Sequence, residues 1–146
     1  MTELDAELVR RKLATISRNL SDLAAVESLS LAEYRADRFK QKGAERLLQE
    51  LIEAAVDANL HLLRAANRPA PPDYYQSFVE LGKGGIIAPE LAQRLAPAAG
   101  LRNRLVHEYD AIDDATVLKA MGQARRDFGE YVAAIQRYLD TAAPKR

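Results

Sequence analysis

The chain has 146 residues, which suits one compact domain with its own core. Hydrophobic residues at 48% and charged residues at 29% give the balance of a soluble globular protein, and the complete absence of Cys excludes a disulfide framework and any thiolate metal site. Lys+Arg and Asp+Glu balance at 21 each, so no global field gathers polyanions; this argues against an architectural nucleic-acid binder and leaves any nucleic-acid contact to a local basic site.

The opening Met1-Thr2-Glu3-Leu4-Asp5 has neither the basic nor the apolar region of a signal peptide, and no apolar run reaches the ~18 residues of a membrane span. A reducing cytoplasm is the expected location. Val9, Leu13, Ile16, Leu20 and Leu23 recur at helical spacing and predict a first helix. A break follows near Ser28 and Ser30, and Ser30 with Glu33 forms a capping box for a second helix. No Pro interrupts the stripe from there to about Asn67, which runs through Leu47/Leu48, Leu51/Ile52, Ala55/Val56 and Leu62/Leu63. Gly43 is its weak point, or a point of close helix contact. Pro69, Pro71 and Pro72 break the chain, and Asp73 caps a short helix carrying Tyr75, Phe78, Val79 and Leu81. Pro89 suits the first turn of the next helix, with Leu91, Leu95, Leu101, Leu105 and Val106; Pro97 predicts a kink or restart within it. Asp113-Asp114 opens the last helix, whose buried side carries Leu118, Met121, Phe128, Tyr131, Ile135 and Leu139. The expectation is an all-α, up-and-down antiparallel bundle of four long helices plus one short one, as a single domain over 1–146 with its last few residues disordered.

The stretch Gly100-Leu101-Arg102-Asn103-Arg104-Leu105-Val106-His107-Glu108-Tyr109-Asp110 carries the candidate chemistry. His exchanges a proton near neutral pH, and Arg holds a phosphate with paired N–H donors. Those two residue types suffice to cut RNA without a metal: one group deprotonates the ribose 2′-OH, which attacks the adjacent phosphate, and another helps the 5′-oxygen leave. Asn103 and His107, four apart, are helix neighbours; Arg102 and Tyr109, seven apart, share a face if the helix continues that far. Arg102 and His107, five apart, diverge by about 140° on an ideal helix. A working site therefore needs a distorted helix end or a second copy of the motif from a partner. The plainer alternative makes His107 a helix-dipole partner or cap and Arg104–Glu108 a surface pair.

Four other features invite a functional reading. His61, one turn after Asp57, could be a base with its orienter, though a surface pair or a satisfied interface residue is the simpler account. Glu45, Glu50, Glu53 and Asp57 suggest a metal bundle, yet the Glu-x-x-His pairs of di-iron bundles are absent. Gly82-Lys83-Gly84-Gly85 lacks Walker spacing and reads as a turn. Arg10-Arg11-Lys12 reads as a solvated face.

Leu101-Arg102-Asn103-Arg104-Leu105-Val106-His107-Glu108-Tyr109 resembles the R-N-x-x-x-H-x-Y signature of HepT-like HEPN ribonuclease toxins. Lys12–Ile16, Glu45–Leu63 and the segment from Ser77 to Leu91 resemble that family's preceding helices, so the likeness covers nearly the whole chain. The resemblance implies a homodimer with a shared cleft, metal-independent endonucleolytic cleavage of RNA, no cofactor, and a cognate nucleotidyltransferase antitoxin that adds AMP to the motif tyrosine. Carried over, Arg102 and His107 are the catalytic pair, Asn103 a supporting polar residue and Tyr109 the modification site. Pro97, shortly before the motif, is the departure from the pattern. The competing hypothesis is a non-catalytic helical module that binds a nucleotide or a nucleotidyltransferase; it would not need the Arg/His pair.

Overall fold

Helices α1 (Ala6–Glu27), α2 (Leu31–Ala36), α3 (Arg38–Ala65), α4 (Tyr74–Lys83), α5 (Pro89–Leu95), α6 (Ala98–His107) and α7 (Asp114–Ala142) make up the computed structural model, which describes residues 3–142. No strand occurs among the described residues, and no helix there is long and apolar enough to cross a membrane. The readings of Met1-Thr2 and of disorder in the last few residues fall outside the described residues. The fold is the all-α bundle expected from the sequence, with two of the five expected helices each divided in two.

Pro97 causes one division. It has no N–H to continue α5, and α6 restarts on short bonds from Ala99 N–H to the Ala96 carbonyl (3.1 Å) and Gly100 N–H to the Pro97 carbonyl (3.1 Å). Asp37 causes the other, which the apolar stripe does not reveal. Its backbone leaves the helix (φ −122, ψ 93), and its carboxylate accepts the Lys40 N–H at 3.0 Å, capping α3. The other starts are as expected: Ser30 and Glu33 form the capping box, Asp73 caps α4, Pro89 opens α5 and Asp113 accepts the Thr116 N–H. The Ser30 N–H and hydroxyl hold the Glu33 carboxyl below its ordinary range.

Contacts between helices give the direction of travel. Asp5 meets His61, Lys12 meets Asp57 and Asn19 meets Leu47, so α1 and α3 are antiparallel. Arg102 meets Glu53 and Tyr109 meets Lys42, so α6 runs back along α3. Helix α7 starts beside Arg35, pairs with α1 through Arg125 and Glu27, and reaches Ala55 and Asn59 at Tyr131. The path is up, down, up through α4–α6, and down again.

The core is one contiguous cluster drawn from all seven helices. Phe78, Phe128 and Tyr131 meet edge to face at its centre, with ring centroids 5.9–6.3 Å apart. Beside them lies a buried polar chain: the Tyr131 hydroxyl donates to Asn59 Oδ1 (2.6 Å), Asn59 Nδ2 donates to Ser77 Oγ (3.1 Å), and Ser77 Oγ donates to the Tyr74 carbonyl (2.7 Å). Burial pushes the Tyr131 phenol upward, so it stays a donor. Gly82 is required where α4 meets α5, since a Cβ there would sit 2.8 Å from Ala92 Cβ. Of the two readings of Gly43 the weak point holds: it is exposed, faces open space and mediates no helix contact. Tyr75 on α4 is exposed, and Leu118, expected on the buried side of α7, is half-buried.

Tyr131→Phe should expose the role of this polar chain. Removing the hydroxyl leaves Asn59 Oδ1 without its donor in a buried site, and unfolding followed by circular dichroism should show a loss of about 1–3 kcal/mol. An unchanged denaturation midpoint would mean that the chain contributes nothing to stability.

Candidate active site

Helix α6 lies on α3 with Arg102 turned toward it. Arg102 Nε donates to Glu53 Oε2 at 2.9 Å, and Nη2 lies 2.8 Å from the same oxygen. Nη1 donates to Asn103 Oδ1 at 3.3 Å, and the guanidinium carbon sits 5.0 Å from the centroid of the Tyr74 ring. The Arg102 side chain is only 20% exposed, so the pair with Glu53 is partly desolvated and charge-assisted. Gln49 Nε2 donates to the same Glu53 oxygen at 3.3 Å and steadies the carboxylate. A guanidinium has five N–H donors. Three are engaged with Glu53 and Asn103, leaving two for a ligand. A cleft of about 530 Å³ beside it is lined by Asp73, Tyr74, Tyr75, Gly100, Arg102 and Asn103. Arg102 is thus immobilised before any phosphate arrives, which lowers the ordering cost of binding one.

His107 ends α6 on another side. The helix stays regular to that point, with the Glu108 N–H bonding the Arg104 carbonyl at 2.8 Å. The distorted helix end that would bring Arg102 and His107 together in one copy is therefore absent. The His107 imidazole is exposed and has no hydrogen bond or ion pair among the described residues. Asn103, one turn earlier, is exposed as well. The shared helical face expected for Arg102 and Tyr109 does not form, because Glu108 leaves the helix (φ −133, ψ 32). Tyr109 instead lies across the N-terminal part of α3, 58% exposed, with Lys42 Nζ 5.5 Å from its ring centroid. Glu53 and Lys42 are eleven residues apart, so Arg102 and Tyr109 are anchored about 16 Å apart along α3.

The remaining candidates are structural. His61 is buried, and its Nε2 accepts the Asp5 N–H at 2.8 Å, tying the start of α1 to α3; Asp57 pairs with Lys12 and not with His61. No cluster of His, Asp or Glu among the described residues could hold a metal. Gly82–Gly85 closes α4, with the Gly84 N–H bonding the Glu80 carbonyl and the Gly85 N–H the Gly82 carbonyl, and Gly85 takes φ +72 in the turn. Arg10 and Arg11 are solvated. Arg104 and Glu108 form no ion pair among the described residues. Sequence reasoning missed Glu53 as the carboxylate that holds Arg102, and Tyr74 as the ring beneath it. Glu53 was visible only as one of several acidic residues on a helix, and nothing local links it to a residue 49 positions away.

Solved structures share this arrangement of helices. A tri-AMPylated Shewanella oneidensis HEPN toxin in complex with MNT antitoxin aligns with a TM-score of 0.81 and 25% identity, over 89% of this chain and 97% of that one. The Bacillus subtilis cytosolic protein YutE aligns over 100% of this chain and 99% of that one, with a TM-score of 0.83; its 16% identity shows the fold alone. The class is therefore a HEPN helical bundle presenting an arginine and a histidine from one helix. The family model described as ribonuclease HepT-like matches residues 16–135, and the chain belongs to that family. The tRNA nuclease HepT of Aphanizomenon flos-aquae is 40% identical over 141 residues, covering 97% of this chain and 96% of the relative. The mRNA nuclease HepT of Shewanella oneidensis is 25% identical over 130 residues, covering 89% and 97%. A family of ribonucleases favours the enzyme over the non-catalytic binding module.

Glu53 should behave as a positioning residue acting through Arg102. Glu53→Ala should lower kcat for RNA cleavage by about a hundredfold, the scale set by a misplacement of roughly 1 Å, with helical content unchanged. Glu53→Gln, which retains an acceptor oxygen, should recover part of the loss. Wild-type kcat in Glu53→Ala would show that Arg102 needs no such hold.

Proposed function

We propose that Arg102 and His107 cut RNA in a cleft built by two copies of the chain, and that a nucleotidyltransferase antitoxin silences the enzyme through Tyr109. The chain is a ribonuclease, the toxin component of a toxin–antitoxin system. The observation that carries the reading is the contrast within α6: Arg102 is clamped with two donors spare, while His107 is exposed and unpartnered on another face. One histidine per copy leaves a lone copy without a paired acid and base, and a second copy supplies the other. One imidazole takes the 2′-OH proton as that oxygen attacks phosphorus. The other returns a proton to the departing 5′-oxygen, leaving a 2′,3′-cyclic phosphate. Arg102 stabilises the charge that builds on the phosphoryl oxygens, with Asn103 in support, and no metal or cofactor takes part. The whole of 1–146 acts as one HEPN domain in the cytoplasm, where RNA is the available substrate.

His107→Ala and Arg102→Ala should each reduce cleavage of total RNA by about a hundredfold or more and relieve growth inhibition, with circular dichroism unchanged. Chelator should leave the wild type active, and light scattering at micromolar concentration should report a dimer. Activity that survives both substitutions, or disappears with chelator, would move the chemistry elsewhere; a monomer would count against the shared cleft.

Tyr109 has the accessibility a modifying enzyme needs. The proposed cleavage needs no phenol, so Tyr109 serves better as a handle. A phosphodiester-linked nucleotide there adds bulk and negative charge without unfolding anything. Tyr109→Phe should keep most of the ribonuclease activity and escape silencing. On co-expression with the cognate nucleotidyltransferase, intact mass should show added AMP on the wild type and none on Tyr109→Phe. Equal modification of both proteins would exclude Tyr109 as the switch.

A further inference from the structure

A surface near Tyr109 has no part in the chemistry above. At about 100° per residue, Arg38, Phe39, Lys42 and Arg46 fall within one sector of α3 roughly 100° wide, and all four are exposed. The same sector carries Glu53 further along, where α6 covers it. Because α6 stops at His107, the N-terminal part of the sector lies open as a shelf with Tyr109 against it. Phe39 is 92% exposed, the most exposed large apolar side chain among the described residues, and has no packing role. Gly43, beside it on the helix, weakens α3 and contacts nothing that would require a glycine. An unpacked aromatic next to a bare stretch of helix is poor design for the isolated chain and good design for a flat ligand that lies close.

The charges on the shelf indicate which ligand. Lys42 pairs with the buried Glu45 (3.4 Å), and Arg46 pairs with Glu50 (3.0 Å) in an exposed short-range pair worth a few tenths of a kcal/mol and readily exchanged for phosphate. Arg38 has no carboxylate partner among the described residues. The hollow that Arg38 and Lys42 share with Tyr109 is also lined by Asp110, Asp113 and Asp114, the last two engaged with Arg35 (4.0 and 3.8 Å), so a polyanion is disfavoured in that hollow and favoured on the open helix face. A face with three cations and a free ring matches the single-stranded nucleic-acid mode, in which cations track the backbone and a base stacks on the aromatic side chain.

We propose that Arg38, Phe39, Lys42 and Arg46 form the platform on which the enzyme holds a single-stranded segment of its RNA substrate. This rests on the ribonuclease reading and deepens it. It also explains why a modification anchored about 16 Å along α3 from Arg102 stops cleavage: the nucleotide on Tyr109 occupies the path of the strand, not the reacting phosphate.

The test uses full-length His107→Ala protein, so that RNA is bound but not cut, with fluorescent oligouridylate as the probe. Phe39→Ala should weaken binding about tenfold, the scale of one lost base stack, and Phe39→Tyr should restore it. Changing Arg38, Lys42 and Arg46 together to Ala should flatten the slope of log affinity against log salt by about two, at about 0.7 per phosphate contact on single strands. In the otherwise wild-type enzyme Phe39→Ala should raise KM more than it lowers kcat. Unchanged affinity and salt slope in these variants, with circular dichroism confirming the fold, would overturn the platform. So would a Phe39→Ala protein that binds RNA normally but no longer captures the antitoxin, because the shelf would then be a protein-docking face. Strand binding that responds as expected in a wild type that cuts no RNA would sink the catalytic reading and leave the platform standing.

Discussion

Asn59 is the residue on which the arrangement of the site depends. It is fully buried on α3, and its amide accepts from Tyr131 on α7 and donates to Ser77 on α4. A buried amide left unpaired costs more than most single contacts return, so the three helices can pack only in the register that satisfies it. Ser77 in turn donates to the carbonyl of Tyr74. The start of α4 is thereby fixed against α3, and with it the Tyr74 ring on which Arg102 stacks. Glu53 lies six residues before Asn59 on the same rigid helix. The ring and the carboxylate that hold Arg102 are both referenced to one core hydrogen-bond chain, which is how a precise site can be built at the surface of a small bundle.

The end of α6 divides the labour of the motif. Arg102 lies within the helix and is held from below by neighbouring elements; His107 is its last residue and is free. Beyond it the chain turns through Glu108, whose carbonyl accepts the N–H groups of Ala111 (2.9 Å) and Ile112 (3.1 Å). Ile112 is buried and pins this turn to the core, and Asp113 then caps α7. Tyr109 is carried across α3 by the turn, which is why it stands apart from Arg102. A tyrosine continued on the helix would have pointed into the same crevice as Arg102 and been shielded from a modifying enzyme.

The division between what the sequence reveals and what it hides follows the range of the interactions. Caps at Ser30, Asp73 and Asp113, and the breaks at Pro89 and Pro97, are decided within four residues, and a single chain read in order shows them. Apolar stripes reveal the buried faces for the same reason. Asp37 escaped because its cap competes with an uninterrupted helical pattern, and only the packing of α2 across α3 and α7 decides in its favour. Tyr34 is the one buried residue of α2, and its phenol is pushed upward by burial and by the Glu45 and Asp114 carboxylates, so it packs as a neutral ring. Arg102 and His107 stand out as candidates in the sequence because the chemistry and the family signature share one short segment. Glu53 and Tyr74 were not, since their relation to Arg102 exists only after α3, α4 and α6 have met.

Charge balance bears on how such an enzyme can be silenced. With 21 cationic and 21 anionic residues, this chain has no long-range field drawing RNA toward it. Many of its cations are already paired: Arg94 spans Asp127 and Glu130 at 2.8 and 2.7 Å, hydrogen bonds that hold the Glu130 carboxyl below its ordinary range, and Arg68 faces Glu80. Attraction for RNA must come from a few local cations, either unpaired or in pairs weak enough to exchange, acting within a screening length of about 8 Å at physiological salt. On a strongly basic ribonuclease a single added phosphodiester would be one negative charge against many positive ones, and RNA would still bind. On a neutral protein the same charge cancels much of a small local patch. The near-zero net charge that argues against an architectural nucleic-acid binder is thus compatible with an enzyme in which one modified tyrosine, as proposed for Tyr109, would suffice as a switch.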